Sequence, residues 1–118
     1  MEMFREVSAV YLHREAVDFR KSINGLSLIV ESEMEMSPFS GALYVFCNRG
    51  RDKLKLLYWD RSGFALWYKR LEKNKFQWPR RWPDTVIELT ETQLHWLLTG
   101  YDITRMTPHE TVHYSSIL

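Results

Sequence analysis

A single cysteine, Cys47, stands among 118 residues, so no internal disulfide can close and no Cys-rich zinc site can be assembled. Alone, it reads as a small buried hydrophobe in a strand, and such sparing thiol use agrees with a reducing compartment. No apolar run approaches the roughly 20 residues that a bilayer-crossing helix needs. The N-terminus, MEMFREVSAVYLHRE, lacks the continuous hydrophobic segment of a signal peptide, so a cytoplasmic protein without membrane contact is expected. A Gly-rich phosphate loop, a G-x-S-x-G elbow and a Cys-His constellation are all missing, so nothing speaks for catalysis. Internal repeats and low-complexity tracts are missing too, and a chain of this length is expected to form one domain.

A net charge of only +1 argues against a polyanionic partner until the charges are placed along the chain. Residues 49–82 hold 11 of the 16 Lys and Arg against three acids, Asp52, Asp60 and Glu72, so this segment is +8 and the remainder −7. Such a block is either an electrostatic footprint for phosphates or the solvated side of a sheet docked on an acidic helix.

Apolar and β-branched residues predict a first strand over 6–12, and Asp18 is placed to cap a helix running to about Glu35. Phe19, Ile23, Leu26 and Val30 form its apolar stripe, Glu31, Glu33 and Glu35 its other face, and Gly25 implies a close neighbour. Strands over 42–48, 53–60 and 64–72, separated by short turns, read as a β-meander. Side-chain alternation then sets the register: Phe46 opposite Lys55, Tyr44 opposite Leu57, Trp59 opposite Phe64, Leu57 opposite Leu66 and Lys55 opposite Tyr68. One face carries Leu43, Val45, Cys47, Leu54, Leu56, Tyr58, Ala65, Trp67 and Leu71, with Lys69 as its misfit, and is the expected core. The opposite face, from Tyr44, Phe46, Lys53, Lys55 and Leu57 to Trp59, Phe64, Leu66, Tyr68 and Arg70, is too aromatic for open solvent. It is either covered by another element, the C-terminal helix being one candidate, or it binds a partner. Residues 85–89 predict an edge strand, and Thr90 with Gln93 forms a capping box for a helix over Leu94, Leu97, Leu98 and Tyr101 that ends at Gly100. The expected architecture is α+β: an antiparallel β-meander of three to five strands, a long N-terminal helix on the core face and a short C-terminal helix. Residues 1–101 form the domain and 102–118 a loosely attached tail.

The stretch KNKFQWPRRWP, residues 73–83, puts three aromatics and four cations into eleven residues without an acid. Its two Trp-Pro pairs force an extended path. Either Trp78 and Trp82 grip a base or a partner while Arg80 and Arg81 meet phosphate, or the indoles lie on the protein's own core and the arginines are merely solvated. Arg49, Arg51, Lys53 and Lys55 at the first hairpin resemble a phosphate clamp, and about four neutralised phosphates give a log-log salt slope near −3.6. Arg70, Lys73 and Lys75 extend that surface. His109 and His113 have the spacing of two zinc ligands, but Pro108 breaks the helix they need. Asp18, Asp52, Asp60 and Asp84 could meet around two metals for phosphoryl chemistry, but three of them fall at the predicted cap and turns, where Asp bonds its own backbone instead. No metal or cofactor is implied.

Residues 18–26, DFRKSINGL, and 38–79, with SG-x-L-x-VF-x-NR, D-x-x-K-L-x-Y-WD-x-x-GF and KRLE-x-x-x-F-x-W, resemble the accessory protein TnpB of insertion-sequence-66-type transposable elements over residues 8–101. That protein is distinct from the much longer RNA-guided nuclease of the same name. The resemblance implies a protein that accompanies a separate transposase and has no catalytic activity of its own. It carries over to Arg20, Asn48, Arg49, Asp52, Lys55, Asp60, Lys69 and Arg70. Gly50 stands where an Arg is frequent and Cys47 where a larger polar residue is frequent, and both departures weaken the clamp. The leading expectation is an accessory protein of transposition whose basic surface binds DNA. The alternative is an interaction module that docks on the transposase or on itself through Tyr44, Phe46, Leu57, Trp59, Phe64, Leu66 and Tyr68.

Overall fold

The computed structural model describes residues 7–105. Five strands, β1 (Val10–His13), β2 (Leu43–Cys47), β3 (Lys53–Trp59), β4 (Phe64–Arg70) and β5 (Val86–Leu89), form one sheet in the order β4-β3-β2-β1-β5. Two helices, α1 (Ile23–Ser32) and α2 (Glu91–Thr99), and a 3₁₀ turn at Ile103–Arg105 complete these elements.

Short turns set register, and the meander pairs as its alternation requires: Tyr44 with Leu57, Phe46 with Lys55, Leu57 with Leu66, Lys55 with Tyr68 and Trp59 with Phe64. The meander, however, is only β2 to β4. β1 runs parallel to β2, and β5 pairs antiparallel with β1 at the sheet edge, so the sheet is mixed rather than wholly antiparallel. Parallel neighbours cannot share a tight hairpin, and the crossover through α1 supplies the return.

The expected long helix is ten residues. Asp18 does not cap it, because its carboxylate is taken by the Arg20 backbone N–H at 2.9 Å and the Arg20 guanidinium at 2.6 Å. Lys21 N–H then donates to the Asp18 carbonyl, winding a separate turn, and Ser22 takes the N-cap position with no side-chain cap bond. At the other end Glu35 adopts φ 55°, the left-handed region, and stops the helix. The close neighbour of Gly25 is Lys21 in that preceding turn, whose Cβ and Cγ lie 3.0 Å from where a Gly25 Cβ would be.

The helices cover the faces opposite to those expected. Leu26, Ile29, Val30 and Met34 of α1 and its exit pack on Tyr44, Phe46 and Leu57, the aromatic face. Leu94, Trp96, Leu97 and Leu98 of α2 join Leu43, Val45, Cys47, Leu54 and Leu56 on the other face, where Phe76, Trp78 and Ile103 complete the cluster. Both faces are apolar, so alternation marks them as buried without saying by what. The handedness of the β1–α1–β2 connection decides which face α1 takes. The misfit Lys69 is resolved by α2: its Nζ donates to the Leu98 carbonyl at 2.9 Å, a cation on the last turn of a helix. The α2 capping box forms as expected, with Gly100 at φ 100° closing the C-terminus. Trp96 is buried there, whereas Tyr101 is exposed.

His13, fully buried, ties β1 to its surroundings through Nδ1 to the Glu15 carbonyl at 2.8 Å and Nε2 to the Glu33 carboxylate at 3.0 Å. The expected loose tail of 102–118 does not begin at 102, since Ile103 is buried in the core, and its remainder, 106–118 with His109 and His113, lies outside the described residues. Among the described residues no helix is long and apolar enough to cross a membrane.

Candidate nucleic-acid interface

The end of the sheet formed by the β2–β3 turn, the exit of β4 and the loops before α1 and after β4 is built by side chains that bond their own turns. Asn48 folds back on the tip: its Oδ1 accepts from Asp52 N–H at 3.2 Å and Lys53 N–H at 3.0 Å, and its Nδ2 donates to Asp52 Oδ1 at 2.7 Å. The Asn48 amide, more than the nearby Lys53 and Lys75, holds the Asp52 carboxyl below the usual carboxylate range. Arg51 takes φ 59°, the left-handed region, and so reverses the chain between Cys47 and Leu54, the last pair of the β2–β3 ladder. Three further segments are bonded to this end by their backbones: Val17 N–H to the Cys47 carbonyl at 2.9 Å, Leu71 N–H to Asp52 at 2.8 Å and Phe76 N–H to Arg51 at 2.7 Å.

In the 73–83 stretch the side chains sort by character. Phe76 and Trp78 are buried, and Trp82 is half-buried against the same cluster. Trp78 Nε1 donates to the Arg14 carbonyl at 2.7 Å and Arg14 Nη1 donates to the Trp82 carbonyl, so Arg14 bolts the stretch to the end of β1. The Arg14 Nε, buried beneath, has no partner among the described residues. Lys73, Lys75, Arg80 and Arg81 face solvent. The aromatics of this segment thus belong to the core and its cations to the surface, so Trp78 is no partner-binding residue.

Of the eleven cations in the basic segment, four are taken up elsewhere. Lys55 Nζ donates to the carbonyls of Phe19 at 2.9 Å and Lys21 at 2.8 Å and sits 4.9 Å from the Phe19 ring centroid, and burial pulls its pKa below that of an ordinary lysine. Lys69 caps α2, Arg70 pairs with Glu72 at 2.8 Å, and Arg61 lies in the β3–β4 turn at the opposite end. The remaining seven, Arg49, Arg51, Lys53, Lys73, Lys75, Arg80 and Arg81, gather at the one end, and among the described residues none has a carboxylate within ion-pair distance. Three depressions meet at the tip. One of about 610 Å³ lies between Arg49, Lys53 and the 16–20 loop. A second of about 330 Å³ is lined by Gly50, Asp52, Lys73 and Lys75. A third of about 600 Å³ runs from Arg51 past Arg80, Arg81 and Trp82 to Arg105.

Sequence reading missed Arg105, and it carried Arg20 only through the family resemblance. Arg20 is pinned by Asp18, whose pKa falls to about 2 chiefly through the hydrogen bonds from Arg20. The signal for that pairing was the D-x-R spacing in a turn. Cys47 is buried at the base of the tip, and desolvation pushes its thiol up to about 12.

The aromatic face does not remain open. Tyr44 and Phe46 are fully buried beneath α1, which removes them as interface residues, and Leu57 goes with them. Trp59 and Phe64 persist as a partly exposed pair at the far end, with ring centroids 5.1 Å apart, and Phe39 packs on both at 5.1 and 5.3 Å. Phe39 is 58% exposed, and sequence reading passed over it because it lies in a turn. Tyr68, half exposed, lines a small depression with Phe19, Lys53 and Lys55.

Among the described residues no group of three His, Cys, Asp or Glu side chains converges as a metal site would require. Asp18, Asp52 and Asp60 each bond their own turn. The chain is 36% identical over 92 residues to the uncharacterized protein y4jC of Sinorhizobium fredii, covering 78% of each chain. It is 32% identical over 93 residues to y4hO of the same organism, covering 79% of this chain and 80% of that one. No solved structure matches. The IS66 Orf2-like protein family matches residues 8–108, so that the chain belongs to this family.

Proposed function

We propose that this protein is an accessory factor of DNA transposition that performs no chemical step itself and holds DNA by the phosphate backbone. Family membership implies the transposition role. The observation that carries the DNA contact is the convergence of seven cations without carboxylate partners on one end of the sheet, from three separate stretches of chain. Phosphate contacts position a protein on DNA without reading sequence. β2 and β3 are interior strands with neighbours on both sides, so their tip cannot enter a major groove as a free two-stranded ribbon, and sequence preference should be weak.

The test is fluorescence anisotropy with labelled duplex at rising salt. Engaging four to seven phosphates predicts a log-log slope of about −3.6 to −6. Micromolar or tighter binding at low salt with such a slope supports the reading. Absence of binding, or binding indifferent to salt, refutes it.

A second reading is favoured by the Phe39–Trp59–Phe64 trio, which leaves an aromatic edge in solvent roughly 20 Å along β3 from the basic tip. Such an edge suits docking on the element's transposase. Phe39→Ser, which alters a mostly exposed ring, should abolish co-purification with the transposase while the variant still unfolds in one cooperative transition, at a melting temperature lowered only by the loss of its edge contacts with Trp59 and Phe64. Unaltered co-purification removes this reading.

A further inference from the structure

We infer that the cleft between Arg51, Arg80, Arg81, Trp82 and Arg105 is a seat for an unpaired nucleic-acid strand, distinct in substrate from the basic tip beside it; this rests on the nucleic-acid reading above. The cleft measures about 600 Å³. That volume lies within the roughly 300–1,000 Å³ of sites that enclose a small organic ligand. An extruded nucleotide fits within such a space, whereas a duplex is too wide to enter and can only rest phosphates on the rim.

The walls suit such a strand in two ways. Three guanidiniums, those of Arg51, Arg80 and Arg81, meet there without a carboxylate in ion-pair distance among the described residues, and planar guanidinium recognises phosphate through paired hydrogen bonds. Arg105 contributes less, because Asp102 lies 3.5 Å from it and also accepts from Thr104. The indole of Trp82 is half-buried on the core, and its remaining surface, with Pro83, gives the cleft a flat apolar wall of the kind on which bases stack regardless of sequence.

Continuity separates a nucleic acid from an acidic peptide. Arg51 belongs to both the cleft and the β2–β3 turn, and Phe76 N–H bonds its carbonyl, so the cleft opens directly onto the surface that bears Arg49, Lys53, Lys73 and Lys75. A polymer with a charge at every unit can follow that path from duplex rim to single-stranded seat. A short acidic segment would use only part of it.

The experiment compares a blunt duplex with an overhang-bearing duplex of equal phosphate number, by anisotropy at one salt concentration. The full chain is tested with Arg80→Ala/Arg81→Ala, and with Arg49→Ala/Lys73→Ala as control; all four side chains are exposed. Wild type should bind the overhang duplex at least about fivefold more tightly, the low end of what one stacked base contributes. Arg80→Ala/Arg81→Ala should erase that preference while weakening the blunt duplex much less, and the control pair should weaken both DNAs alike. Equal wild-type affinity for the two DNAs overturns this inference but leaves the DNA-binding reading standing. So does an Arg80→Ala/Arg81→Ala variant that weakens both equally. Poly-glutamate of matched charge displacing the overhang as well as a free single strand does would assign the cleft to acidic chains and overturn the inference too. Failure to bind either DNA refutes both readings together.

Discussion

Lys53 and Lys55 lie two residues apart on the same face of β3, yet the bonds of Lys55 and the proposed function of Lys53 set them opposite roles, and exchanging each for methionine separates the roles. Lys55 Nζ donates to the carbonyls of Phe19 and Lys21, so it pins the loop before α1 onto the sheet. A hydrogen bond from a charged group contributes about 1.5–3 kcal/mol. The Lys21 carbonyl is exposed and can recruit water, so the loss rests mainly on the Phe19 carbonyl and the cation–ring contact, together about 2 kcal/mol. Unfolding entropy of about 2.1 cal/mol/K per residue gives roughly 0.2 kcal/mol/K for about 100 folded residues, so Lys55→Met should lower Tm by about 8–10 °C. Lys53 has no side-chain bond of this kind, and Lys53→Met should shift Tm by no more than about 1–2 °C. The DNA readout inverts. Lys53→Met should weaken duplex binding and reduce the salt slope by about 0.9, whereas Lys55→Met, measured below its own Tm, should leave the slope unchanged. Differential scanning fluorimetry and anisotropy read the two quantities. A Lys55→Met variant with wild-type Tm and a reduced slope would refute this division of the two lysines.

The carboxyl resonance of Asp18 should titrate near 2 and move upward in Arg20→Ala without reaching the ordinary 3.8, because the backbone N–H of residue 20 still bonds the carboxylate. Because its folded pKa is depressed, its contribution to stability is present above about pH 4 and is lost as pH falls toward 2. The Cys47 thiol, buried and pushed up to about 12, should resist a disulfide reagent at pH 8 in the native protein and react fully in denaturant; native-state labelling within minutes would contradict that burial. Thr90→Ala removes the oxygen that accepts from Gln93 N–H at 3.0 Å and should cost about 1 kcal/mol, seen as a lower urea midpoint at unchanged slope. Lys73→Ser relieves like-charge repulsion of a few tenths of a kcal/mol per neighbouring pair and should raise Tm by about 2–4 °C at 10 mM salt, an effect absent at 1 M.

What sequence made legible was local. Register in the meander follows from turn length and alternation, both confined to about 30 neighbouring residues, and the pairs from Tyr44–Leu57 to Trp59–Phe64 form as read. The α2 capping box and its Gly100 terminus are likewise written within a dozen residues. What was not legible depends on contacts between distant segments. Nothing near β1 records that its neighbour β2 runs parallel, nor that α1 rather than α2 covers Tyr44 and Phe46. Asp18 was misread because a cap and an Asx turn use the same carboxylate, and Arg20 two residues on decides between them. Lys55 looked like a surface cation because its acceptors lie 34 and 36 positions earlier.

The same distance argument bears on the basic end itself. A run of charge along a chain need not become a patch, since alternating strand residues point to opposite faces and a meander carries its turns to opposite ends. Here the fold takes Lys55, Lys69 and Arg70 into its own bonds and places Arg61 at the opposite turn. Of the other seven, Lys73 and Lys75 are fastened beside the tip by the backbone bonds of Leu71 to Asp52 and Phe76 to Arg51, and Arg80 and Arg81 sit in the stretch that Trp78, Trp82 and Arg14 bolt to the end of β1. Seven unpaired cations so placed repel one another, and the acids that outnumber cations in the rest of the chain, Glu31, Glu35 and Glu88 among them, are exposed elsewhere instead of neutralising them. A fold that merely needed solubility could have interspersed its charges. Holding them apart costs stability, which the proposed anionic partner at that end would offset, and the exposed Phe39 lies a strand length away from it.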